Sequence, residues 1–113
     1  MTDLDDRLRQ LVEKNKKVIT FCLFDSQGQP QGTYSRQDLD AGQKNRLAAA
    51  AMACVTLSTR VVDNLTQDQV QVVEVGGEVG NVAVGVTTGG YSVVVTQPSV
   101  NARQILTQLI ANL

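Results

Sequence analysis

A chain of 113 residues, 42% hydrophobic and 19% charged, is long enough to bury a core without disulfide or metal staples, and its composition excludes a disordered chain. Ten basic against eleven acidic residues leave a net charge of -1, so the basic footprint that nucleic acid requires is missing. Aromatic residues make up only 4% and Trp is absent, which leaves Val, Leu, Ile and Ala to build the interior.

In chain order, residues 3 to 15 predict a helix. Thr2 or Asp3 can cap it, Asp5 and Asp6 suit its positive end, and Leu4, Leu8, Leu11 and Val12 repeat as one buried face. The N-terminus is acidic and has no signal peptide, which predicts a cytoplasmic protein. Lys14, Lys16 and Lys17 form a small basic cluster that reads as a solvated helix end. Val18 to Asp25 predicts a strand apolar on both parities, hence covered on both faces. Asp25 to Pro30 reads as a turn, and Gln31 to Arg36 as a polar edge strand completing a hairpin.

Asp38 or Asp40 can cap a helix from about Ala41 to Asn64. Three stripes run along it: Leu47, Ala51, Cys54, Ser58, Val61 and Leu65; then Ala48, Met52, Val55 and Val62; then Ala50, Ala53 and Leu57. Together they nearly encircle the helix, and one sheet covers only one side of a helix. Either the helix lies mid-core, or a second chain covers it. We expect a copy of the same helix to pack on Ala50, Ala53 and Leu57 across a twofold axis, since small side chains let helices approach closely. The alternative is a monomer with an exposed Ala-rich face. The uncharged run Leu47 to Thr59 is too short for membrane insertion, which asks for about 20 apolar residues.

Residues 69 to 75, 81 to 88 and 91 to 96 are Val-rich and predict three strands, joined through Gly76, Gly77 and Gly80 and through Gly89-Gly90 into an antiparallel meander. Gly85 inside the middle strand marks a bulge or a close helix approach, and packing against the Ala-rich helix is the favoured reading. Pro98-Ser99 ends the sheet. Ser99 can cap a last helix to Leu113, with Ala102, Ile105, Leu106, Leu109, Ile110 and Leu113 on its apolar face.

Histidine is absent, which removes the commonest general base and metal ligand. Cys22 and Cys54 sit in apolar runs and read as buried free thiols, although two cysteines could also pair; neither has a His partner that would activate it. The glycines at 76, 77 and 80 link two strands and lack the Gly-Lys-Ser/Thr ending of a phosphate loop. No catalytic set, cofactor site or metal site is therefore expected, and the chain reads as one non-enzymatic α/β domain over 1-113.

Val18-Ile-Thr-Phe-Cys-Leu-Phe-Asp-Ser-Gln-Gly28, the Ala-rich helix Leu47 to Leu57, and Tyr91-Ser-Val-Val-Val-Thr-Gln-Pro-Ser99 leading into the last helix carry a resemblance over nearly the whole chain. It resembles the roadblock (dynein light chain-like) family, including the bacterial polarity regulators that pair with Ras-like GTPases. The resemblance implies an α+β sandwich. Its five-stranded antiparallel sheet would run 2-1-5-4-3, with the long helix on one face and the first and last helices on the other. It also implies a homodimer or heterodimer with the third strands side by side, which adds Val70 and Val72 to the expected interface. The chain departs from the family in being rich in Gln and poor in acidic surface.

Three functions follow as expectations. The first is a dimeric regulator or scaffold of a small GTPase. The second is a nucleotide-independent structural adaptor or light-chain subunit. The third is an enzyme or ligand sensor, for which no catalytic set exists. In a GTPase activator of this kind the partner holds the nucleotide. Arg36, Arg46, Arg60 and Arg103 are candidate arginine fingers on spacing alone, and solvated charges otherwise.

Overall fold

The computed structural model describes residues 4–65, 71–77, 80–87 and 89–113. The elements run α1 (Leu4–Glu13), β1 (Val18–Asp25), β2 (Pro30–Ser35), α2 (Ala41–Leu65), β3 (Val72–Gly76), β4 (Asn81–Thr87), β5 (Gly90–Thr96) and α3 (Ala102–Ala111). The strands form one antiparallel sheet in the order β2-β1-β5-β4-β3, which matches the expected α+β sandwich. Thr2 and Asp3, offered as caps for α1, and Gln69 and Val70, at the expected start of the third strand, lie outside the described residues.

Alternation along each strand sends neighbours to opposite faces. Phe21, Ala83 and Val94 join Leu8 and Val12 of α1 and Ala102, Leu106 and Leu109 of α3 in one core cluster. Cys22, Val84 and Val93 join Ala48, Ala51 and Val55 of α2 in the other. Both parities of β1 and β5 are therefore buried, as their unbroken apolar runs require. β3 closes one end of the sheet and is covered less: Val72 and Val73 are half-buried, while Glu74 and Val75 are exposed.

Local chemistry sets the boundaries. Asp25 shapes the first hairpin turn by accepting from the Gln27 and Gln29 amides at 2.9 Å. Asp40 and Gln43 cap α2 reciprocally: Gln43 N–H donates to the Asp40 carboxylate at 2.7 Å, and Asp40 N–H to the Gln43 side-chain oxygen at 2.9 Å. The cap of α3 is Asn101, whose side chain accepts from Gln104 N–H at 3.0 Å. The expectation of Ser99 is corrected here. Ser99 turns through φ 64, whereas a cap needs the extended backbone that Asn101 has at φ -77 and ψ 91. Glu74 of β3 adds a second acceptor, taking Arg103 N–H at 2.9 Å beside the positive end of α3.

Gly85 corrects a second expectation. It pairs in register with Val72 and Ser92, with no bulge. Its missing side chain faces α3 and not the Ala-rich helix: a Cβ there would lie 2.9 Å from Ser92 Oγ and 3.1 Å from Leu106 Cδ2. Sheet parity decides this, because Gly85 shares its face with Ala83.

Two long-range polar contacts fasten α1 to the sheet. Asp5 accepts from the outward-facing Thr33 N–H of β2 at 2.8 Å. Arg36 donates to the Val12 carbonyl at 2.7 Å, the Val18 carbonyl at 2.8 Å and the Asn15 carbonyl at 3.3 Å. The Val12 carbonyl also accepts from Asn15 N–H at 3.0 Å and the Asn15 carbonyl from Val18 N–H at 3.1 Å, so Arg36 adds a charged donor at the end of α1, where a cation complements the helix dipole. Arg36→Ala is expected to lower stability by about 1–3 kcal/mol, since it removes a charged donor that three carbonyls share. Urea denaturation read by circular dichroism checks this through the midpoint at constant slope.

Candidate interaction surface

Helix α2 has 25 residues, and the sheet takes only one of its sides. Ala48, Ala51 and Val55 are buried against the sheet, flanked by half-buried Leu47, Met52 and Cys54. Ala50 and Ala53 are exposed, and Leu57 is 62% exposed. Burying a Leu side chain is worth roughly 1.5–3 kcal/mol, so a Leu left open at the end of an Ala-lined stripe marks a surface that gains from being covered.

On the same side of the sheet, Val75 of β3 is 49% exposed and Val86 of β4 is 45% exposed. Both follow the parity of Val73 and Val84, which face α2. They were not among the residues singled out from the sequence, although alternation along their strands carried the signal. The outer edge of β3 has no neighbouring strand among the described residues. Of the five expected interface residues, Ala50, Ala53 and Leu57 thus share one exposed line, and Val70 is outside the described residues. The Val72 side chain packs against the chain's own α3 cluster, so an edge pairing of β3 would use its backbone.

The arginines separate by location. Arg36 is held by backbone carbonyls. Arg60 is exposed on α2, and Arg103 is exposed on α3 across the sheet. Arg46 stands one helical turn before Ala50 and lines an open cavity of about 620 Å³ between the first half of α2, the 36–40 connection and the sheet. Lys14, Lys16 and Lys17 are exposed.

Both cysteines are free thiols. Burial pushes the Cys22 thiol up from 9.0 to about 11, while a hydrogen bond with Thr33 and the charge of Lys44 pull the other way. Alkylation needs the thiolate. In the folded protein at pH 8, iodoacetamide should therefore modify the half-buried Cys54 and leave Cys22 intact until denaturant is added. Peptide mass mapping reads the order. Among the described residues, no group of three or more Cys, Asp or Glu is placed to hold a metal ion, and no helix is long and apolar enough to cross a membrane.

No protein-family model matches the sequence, and no curated protein matches it significantly. Solved structures match closely in shape. A Roadblock/LC7 domain from Streptomyces avermitilis superposes with a TM-score of 0.81 at 18% identity, covering 97% of this chain and 93% of its own. Myxococcus xanthus MglB gives 0.76 at 14% identity, covering 99% and 92%. An MglB with a tetrameric arrangement gives 0.74 at 13% identity, covering 96% and 86%. The chain has the Roadblock/LC7 fold.

Proposed function

We propose that this chain, built on the Roadblock/LC7 fold, is a non-catalytic protein-binding module that pairs with a second copy of itself. The pair would serve as a platform that regulates or scaffolds a small Ras-like GTPase. The exposed stripe Ala50, Ala53, Leu57 carries the pairing half of this reading, because one sheet leaves that side of α2 uncovered. The unpaired edge of β3 and the exposed Val75 support it, since edge strands with apolar neighbours are surfaces proteins tend to cover. The tetrameric arrangement of an MglB of the same fold agrees with self-association.

The GTPase half rests on the resemblance to polarity regulators and on the shared fold with MglB. In this mechanism the platform holds no nucleotide. It binds one state of the partner better than the other and so shifts its population, by no more than the difference in affinity.

Partner capture from the native lysate on the tagged chain, with GDP and then with a non-hydrolysable GTP analogue, tests it. A small GTPase retained only with the analogue is the expected result. Partners indifferent to nucleotide would replace the regulator with a structural adaptor.

A further inference from the structure

The cavity beside Arg46 lies one helical turn before the exposed stripe Ala50, Ala53 and Leu57. Its floor is apolar, made by Leu39, Leu47, Val82 and Val95, and Gln43 adds a polar rim. Arg46 is the one charged residue among its described lining, and it makes no ion pair among the described residues. The nearby Asp40 carboxylate is already engaged, since it accepts from Gln43 N–H in the α2 cap. The volume, about 620 Å³, lies in the range of ligand sites, and the cavity is open along one side, so a chain could lie across it.

We propose that this groove is a docking site for a peptide segment of a partner protein that carries a bulky aliphatic side chain next to a carboxylate. The aliphatic group would fill the floor between α2 and the sheet. The carboxylate would take the planar two-donor fork of Arg46, which suits that geometry better than a lysine would. Specificity comes from the pairing of the two, because an apolar floor alone accepts any hydrophobe, and a lone surface arginine binds carboxylates weakly. The proposal goes beyond the function above: it names the chemistry of the recognised segment and needs no nucleotide.

Panning a random peptide library against the tagged full chain tests it. Enriched sequences should place Leu, Ile or Val beside Asp or Glu. A selected peptide should shift the methyl NMR signals of Leu39, Leu47, Val82 and Val95. Arg46 is exposed, so Arg46→Glu should leave the circular dichroism spectrum unchanged while weakening that peptide about tenfold or more. The same variant should enrich Lys or Arg in place of the acid. The proposal is overturned by no enrichment, by enriched peptides without an acidic residue, by affinity unchanged in Arg46→Glu, or by shifts confined to other methyls. It is equally overturned if those four methyls shift with protein concentration in the absence of peptide, since a second copy would then fill the groove. None of these outcomes bears on whether a GTPase binds.

Discussion

In the proposed pair, Ala53→Glu is expected to turn the two-chain species into single chains without altering the fold of either. Ala53 is exposed on the isolated chain, so a carboxylate there meets water and the monomer tolerates it. In a pair joined along Ala50, Ala53 and Leu57, the same carboxylate would be buried without a partner, and an uncompensated buried charge typically costs about 3–5 kcal/mol. That is more than two decades in the association constant. Light scattering after size-exclusion chromatography should show half the molar mass of the parent, with the same far-ultraviolet circular dichroism. An undiminished mass would mean that copies do not pair through this stripe of α2, whether they pair elsewhere or the parent is a single chain.

The second large effect lies at Gly90, the first residue of β5. A Cβ on Gly90 would overlap the Phe24 carbonyl oxygen and come within 2.9 Å of Asp25 Cα. These are backbone atoms of β1, held by the pairing of Asp25 with Gly90 and of Phe24 with Tyr91, so they cannot step aside without opening the centre of the sheet. Gly90→Ala is expected to cost about 3 kcal/mol or more, at the severe end of overpacking, and to lower the melting temperature by roughly 10 °C. The adjacent Gly89 provides the control. Its φ of +84 suits Asn, and a Cβ there meets nothing within 4 Å. Gly89→Asn should therefore cost no more than about 1 kcal/mol. Similar melting temperatures for the two variants would refute the close approach at Gly90.

Much of the fold was legible in local patterns, and the reasons differ by element. α1 and α3 were readable because their apolar residues repeat at helical spacing along one face. β1 and β5 were readable because continuous apolar runs bounded by turn residues leave little choice. The start of α2 was legible only as Asp38 or Asp40; the structure selects Asp40, whose bond Gln43 returns. Strand order was not legible in periodicity, which says nothing about which strands lie side by side; only the resemblance supplied 2-1-5-4-3.

The corrected points share one cause. The position of the α3 cap and the side toward which Gly85 opens depend on how the chain turns in three dimensions, not on residue type. Arg36 and Asp5 were missed as fasteners because their partners lie up to 28 residues away and leave no local trace. For the interaction surface, the all-round apolar character of α2 was plain from its three stripes. Which stripe the sheet would claim was settled by packing, and it leaves Ala50, Ala53 and Leu57 outside. Alternation places Val75 and Val86 on the α2 face, but a valine in a strand looks the same whether that face is covered or bare, so their exposure left no mark in the sequence.

The Asp5 carboxylate on Thr33 N–H also bears on how large an assembly can become. A sheet normally has two ends at which further strands can add. Here α1 lays a side chain across the β2 end and occupies one of the amides an incoming strand would need. Growth is left with the β3 end. A building block with one open end, joined to its own copy through that end, uses up both openings in a single step, so the arithmetic stops at two where a block open at both ends would continue into a fibre.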